Sequence, residues 1–193
     1  MAAIAGNFRL GPDTGHVILK TTRAGLAAKV GHDLTIEITR WSADVKVPDD
    51  GDLSAASVTA ELDLGSLVVQ AGSGGARPLT DSDRRDIQST MGKILGGAGA
   101  SGGGPPKATF RSTRVIPAAA GGAIEGMLTL NGRSRHARLQ VSAPEPGHYR
   151  AGLTILQSDF GIKPYTGFFG ALKLRDEVAV ELDVDITKEI AEP

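Results

Sequence analysis

Apolar and polar residues alternate along several stretches of the chain, the period-2 pattern of half-buried strands. In 177–186, Val178, Val180, Leu182, Val184 and Ile186 alternate with Glu177, Ala179, Glu181, Asp183 and Asp185. In 58–64, Val58, Ala60, Leu62 and Leu64 form one face and Thr59, Glu61 and Asp63 the other. The stretch 34–47 changes phase: Leu34, Ile36 and Ile38 are even, whereas Trp41, Ala43, Val45 and Val47 are odd. One extra residue does this, so a bulge or bend is predicted near Arg40. Within 124–141, Asn131-Gly132 signals a hairpin. A two-residue loop pairs Leu128 with Arg135. A four-residue loop over 131–134 pairs Leu128 with Ala137, Gly126 with Leu139 and Ile124 with Val141, which separates apolar from polar and is the register expected. Further strands are expected at 16–22, 109–116 and 149–156, giving about eight, mostly antiparallel.

The segment 80–95 breaks the alternation. Ile87, Met91, Ile94 and Leu95 fall near helical spacing, with Thr80 or Asp81 as N-cap. One amphipathic helix is expected there, followed by a Gly-rich loop over 96–104. Curved antiparallel strands plus one helix predict an all-β fold. The architecture expected is a single domain over 1–193, a closed eight-stranded antiparallel up-and-down barrel, with a two-sheet sandwich as the alternative.

Composition narrows the function. The chain has 193 residues, 21 Lys plus Arg, 22 Asp plus Glu and no Cys. Disulfides, thiolate metal sites and a Cys nucleophile are excluded. A net charge of −1 argues against nucleic acid as the main partner and gives no general attraction to anionic membranes. No apolar run suffices for an integral membrane segment, and the first residues lack a signal peptide's basic start. A cytoplasmic location is expected, or a periplasmic or secreted one if a leader has been trimmed. With only 5 Phe, 2 Tyr and 1 Trp, an interior must be built from small and medium aliphatic residues.

The short motifs carry little chemistry. Residues 97–102 fit a dinucleotide G-x-G-x-x-G pattern, but a helix precedes them and Pro105-Pro106 follow, the reverse of what a pyrophosphate needs. Ser101 fits G-x-S-x-G, yet the only later histidines, His136 and His148, precede Asp159, against the order of a nucleophile elbow. His16, His32, His136 and His148 lack metal-ligand spacing, and Asp49, Asp50 and Asp52 lack that of a calcium loop. Asp159-Phe160-Gly161 has no kinase context. No metal and no cofactor is expected. Five of the eight aromatics do fall in 149–169, however, as a plug for the barrel end or the wall of a ligand portal.

Several segments, taken in order, carry a resemblance: Asp83-Arg84-Arg85-Asp86, 107–113 (KATFRST), 126–132 (GMLTLNG), Ser158-Asp159-Phe160-Gly161-Ile162 and the closing strand 176–186. Together they resemble the YceI-like family of bacterial lipid-binding proteins. The resemblance implies a lipocalin-like barrel holding a long apolar amphiphile, such as an isoprenoid quinone, a polyisoprenoid or a fatty-acid-like lipid. It also implies a carrier or store without catalytic residues, and makes a homodimer plausible. Two departures stand out: Gln157 replaces the Arg that usually precedes Ser-Asp-Phe-Gly, and glycines replace an aromatic-rich segment after the helix, suggesting a wider opening. Ligand-binding residues are expected to be Leu34, Ile36, Trp41, Leu62, Phe110, Leu128, Leu139, Leu153, Phe160, Tyr165, Phe168 and Phe169. Arg85 and Lys163 are the head-group candidates, though Arg85 could instead pair with Asp81. Two rival readings are an isomerase- or cyclase-type enzyme using His32, Asp33 or Asp159, and a stress-related barrel filled by its own side chains.

Overall fold

A computed structural model of the chain describes residues 5–99 and 106–187, with backbone only for 97–99. In chain order the elements are β1 (Gly6–Leu10), β2 (Gly15–Ala24), β3 (Asp33–Ile38), β4 (Trp41–Val47), β5 (Ser57–Asp63), β6 (Leu67–Ser73) and helix α1 (Asp81–Gly99). They continue with β7 (Lys107–Ala118), β8 (Gly121–Leu130), β9 (Arg133–Glu145), β10 (His148–Leu156), β11 (Thr166–Gly167) and β12 (Leu172–Asp185). The strands form one curled antiparallel sheet in the order β1-β4-β5-β7-β8-β9-β10-β12-β2-β3-β6, with β11 on β12.

The fold is all-β with one helix, as expected, but the described residues hold twelve strands rather than eight. Most of the difference comes from long strands broken in two. β3 and β4 are one run bent at Thr39-Arg40, and β5 and β6 one run interrupted by the 3-10 turn Leu64–Ser66. The two breaks face each other and are stitched by Ser66, which is 4% exposed. The Thr39 N–H and hydroxyl donate to the Ser66 carbonyl (3.2 and 2.9 Å), and the Arg40 N–H donates to Ser66 Oγ (2.9 Å). The predicted phase change therefore exists as a bend, which leaves Ile38 and Trp41 both buried. A turn at 11–14 likewise separates β1 from β2, closed by the Thr14 N–H donating to the Gly11 carbonyl (3.0 Å).

The β8–β9 hairpin departs from the expected register. Its loop is Asn131-Gly132 alone, with φ of 53° and 70°, so Leu128 pairs with Arg135, Gly126 with Ala137 and Ile124 with Leu139. The Asn-Gly preference for a tight turn with positive φ outweighs the segregation of apolar from polar side chains. A slip of two residues keeps every residue on its face, and Arg135 remains exposed, so its place beside Leu128 buries no charge.

The helix begins as predicted. Thr80 Oγ1 accepts from the Asp83 N–H (3.2 Å), and Asp83 Oδ2 accepts from the Thr80 N–H (2.8 Å). A hydrogen bond from the Arg77 guanidinium, reinforced by Thr80, holds the Asp83 carboxyl well below the usual carboxylate range. The helix continues through Gly96–Gly99, where a loop was expected; the rest of that loop, 100–105, lies outside the described residues. Ile87, Met91, Ile94 and Leu95 pack against the core. β7 begins opposite Asp63, so β6 has no strand on its outer edge. The helix covers it: Arg84 donates to the carbonyls of Val69 (2.9 Å) and Gln70 (3.0 Å), and Gln88 to that of Leu67. Exposed strand edges template aggregation, and these side chains satisfy this one.

Candidate functional site

The packed core runs from β2–β6 to Ala108, Leu130, Val184 and Ile186. Leu34, Ile36, Ile38, Trp41, Ala43, Leu64, Leu67 and Val69 are buried in it with Val17, Leu130, Phe160 and Ile162, and the helix presses on them. Aliphatic residues of the opposite wall are different. Ile124, Leu139, Val141 and Leu153 are only half-buried and stand outside this core. They share the inner face: Ile124 pairs with Leu139 and lies on the face of Leu128, and Leu153 pairs with Val180 on the face of Ile155. Leu128, Val180 and Ile155 all touch the core. The Phe110 ring lies over Gly126, where an added Cβ would sit 2.6 Å from Phe110 Cζ.

The same wall is split. Hydrogen-bonded pairing of β9 with β10 ends at Gln140–Gly152, although β10 pairs with β12 as far as Leu156 and β9 pairs with β8 as far as Arg133. Beyond that point β9 carries Leu139 and Ala137 on its inner face, then Arg135 and Arg133 at the same parity, both exposed at the rim.

The Ser158-Asp159-Phe160-Gly161-Ile162 run closes one end of the sheet. A 3-10 turn over Gln157–Phe160 ends on Gly161 (φ 68°), and Phe160 and Ile162 are 2% and 4% exposed. Asn131 Nδ2 donates to the Phe160 carbonyl (2.9 Å). The Ser158 N–H donates to Asp176 Oδ1 (2.8 Å), and Gln157 donates to the Arg175 carbonyl (3.0 Å) from the position where an Arg was expected. For Phe160, the plug reading describes the geometry.

The twelve expected ligand residues therefore divide. Leu34, Ile36, Trp41 and Phe160 are buried in the core, Leu62 and Leu128 pack on it, and Phe110 is buried beside Gly126. Leu139 and Leu153 line the loose wall. Tyr165, Phe168 and Phe169 do not join them, being 37%, 66% and 113% exposed. Phe168 and Phe169 have φ of 48° and 55°, a left-handed conformation costing a bulky residue on the order of 1–2 kcal/mol. Arg85 and Lys163 are exposed and reach no interior group, and Arg85 does not pair with Asp81.

Other polar groups do face inward. Thr21 Oγ1 and Asn131 Oδ1 are buried without a hydrogen-bond partner. Arg133 lies against Gly161, within 2.6 Å of where its Cβ would be. Arg135 is readable from its parity with Ala137 and Leu139, whereas Asn131 reads in the sequence as a turn residue alone. The three residues weighed for catalysis have structural partners or none. His32 Nε2 donates to the Arg77 carbonyl (2.7 Å), Asp33 accepts from the Arg23 N–H (2.8 Å), and Asp159 is exposed. Among the described residues no cluster of metal ligands exists, and no helix is long and apolar enough to cross a membrane.

No curated protein matches the chain. Solved structures share its fold. BcnA of Burkholderia cenocepacia superposes with a TM-score of 0.58 at 18% identity, covering 88% of this chain and 94% of that one. A YCEI protein of Campylobacter jejuni superposes at 0.51 and 15% identity, covering 78% and 82%. The sequence profile of the YceI-like domain matches residues 15–186, nearly the whole chain. The chain belongs to the YceI-like family.

Proposed function

We propose that the chain holds one long apolar amphiphile, isoprenoid or fatty-acyl in character, against the inner face of β7–β10, without covalent chemistry. The observation that carries this reading is the row Ile124, Leu139, Val141 and Leu153, apolar and inward yet half-buried. Apolar residues on a concave face that their own neighbours do not cover gain by taking up a guest, at about 0.8 kcal/mol per buried CH₂. Ten such groups give about 8 kcal/mol before the cost of association, which is micromolar or weaker.

The strand pairings support a closed barrel around this space. With β1/β2, β3/β4 and β5/β6 each taken as one bent strand, every strand pairs with its chain neighbour, and β12 returns to β2. This gives eight lanes in up-and-down order. The β9–β10 split is then the lateral way in for the chain. Arg133 and Arg135, exposed at the rim of the split, and the free Asn131 Oδ1 meet the polar head there, nearer the split than Arg85 or Lys163. The continuous core beside Trp41 and Phe160 favours a second reading, a barrel filled by its own side chains.

Trp41 is the only tryptophan and lies inside, so it separates the two readings. Titration with an isoprenoid quinone or a brominated fatty acid should quench Trp41 fluorescence to saturation at one ligand per chain. Leu153→Arg should remove the saturable part while the protein still melts cooperatively. Quenching that is absent, or only linear in ligand, contradicts the lipid reading and leaves the filled barrel.

A further inference from the structure

We infer that the loops 25–31 and 163–171 together form a docking surface for an anionic lipid bilayer. The inference does not depend on a ligand inside the barrel. The loops are joined: the Ala27 N–H donates to the Ala171 carbonyl (2.9 Å), and Gly25, at φ 90°, passes so close that a Cβ would lie 2.4 Å from that oxygen. They hold five of the ten large hydrophobic residues exposed among the described residues: Leu26 at 99%, Val30 at 50%, Tyr165 at 37%, Phe168 at 66% and Phe169 at 113%. Contiguous exposure of this kind marks an interaction surface.

Two features go beyond exposure. Phe168, Phe169 and Gly170 all have positive φ, so the backbone is held in an unfavourable conformation that displays both rings in water. Charge then selects the partner. The segments 25–31 and 160–175 contain Lys29, Lys163, Lys173 and Arg175 and no Asp or Glu, in a chain whose net charge is −1. None of these four cations forms an ion pair with a described residue, whereas Arg23, Arg77, Arg138 and Arg150 all do. The acids nearest in sequence lie just outside: Asp33 is held by Arg23, Asp176 by Ser158, and Asp159 is exposed next to the buried Phe160. Protruding aliphatic and aromatic residues in segments whose only charges are unpaired cations suit a bilayer interface, with rings among acyl chains and ammonium groups at anionic head groups.

The test is co-sedimentation of the full chain with phosphatidylcholine vesicles, with and without about 30% phosphatidylglycerol. Binding should require the anionic lipid and fall at high salt, as screening predicts. Phe168→Gly with Phe169→Gly removes the rings while relieving the positive φ, so the fold is retained. That pair, and separately Lys29→Glu with Lys173→Glu, should each cut the bound fraction by roughly tenfold. Val68→Ser, which removes an exposed apolar side chain elsewhere, should leave it unchanged. Failure of the native chain to sediment with anionic vesicles overturns the inference. So does a dimer in light scattering that is lost in the double glycine variant without any vesicle binding, which assigns the surface to a second copy of the chain.

Discussion

The β2–β6 wall and the β7–β10 wall are built from the same kinds of residue and pack differently. On the first, Leu34, Ile36, Ile38 and Trp41 are buried, and α1 packs on that side. On the second, Ala108, Phe110, Leu130 and Ala137 are buried, but Ile124, Leu139, Val141 and Leu153 alternate just as regularly and remain half-buried. Alternation states which face a residue takes; it does not state what, if anything, covers that face. Elements that are not strands contribute to the difference: α1 and the bend at Ser66 both belong to the first wall.

The comparison breaks most sharply with a pair of truncations. Trp41→Ala should lose about 3–5 kcal/mol of unfolding free energy in urea, as large buried aromatics do. Leu153→Ala should lose about 1 kcal/mol or less, because few neighbours rest on it. Equal losses would mean that both walls are packed. Ser66→Ala comes next. It strips the Arg40 N–H of its acceptor inside the bend and should cost about 1–3 kcal/mol by chemical denaturation. A cost near zero would show that the bend holds without this stitch. Gly126→Val pushes a side chain into the Phe110 ring and the Arg111 carbonyl, and should cost about 1–3 kcal/mol. A neutral result would mean that Phe110 swings freely into the open side.

The smallest effect is on acid stability. Hydrogen bonds from Arg77 and then Thr80 depress the Asp83 carboxyl. His148 and Arg150 depress Asp183 against partial burial. At Asp63 burial pushes upward, but Arg40 and the Gly65 amide together hold the group below its ordinary value. A depressed carboxylate adds stability above its unfolded pKa, near 4, and loses it as pH falls through the lower folded value. The melting temperature should therefore show no loss from these groups down to about pH 4 and decline below it, less steeply in Asp83→Asn. An identical acid slope in that variant contradicts the role of the Arg77–Asp83 pair.

Much of this fold was legible in the sequence for local reasons. Val178 to Ile186, the phase change at Arg40 and the helix from Thr80 each follow from periodicity or capping chemistry. The hairpin register was not, because side-chain segregation and turn geometry disagreed at Asn131-Gly132 and the turn prevailed. The broken strands were only partly legible, since the stitch at Ser66 depends on Thr39 and Arg40 lying opposite it, a non-local fact. Of the site, the inner-face leucines could be read from alternation. The exposure of Phe168 and Phe169 could not: an aromatic pair after Thr-Gly reads as buried until the backbone is seen to turn left-handed there.

The central claim is that the loose β7–β10 wall exists to hold an apolar chain. Native mass spectrometry of freshly purified protein, followed by organic extraction, tests it most directly, with Leu139→Trp as the filled control. The account predicts an adduct whose extract shows isoprene or methylene spacing, present in the native chain and missing in Leu139→Trp. A bare mass that stays unshifted after incubation with isoprenoid quinones, prenyl phosphates and fatty acids contradicts it.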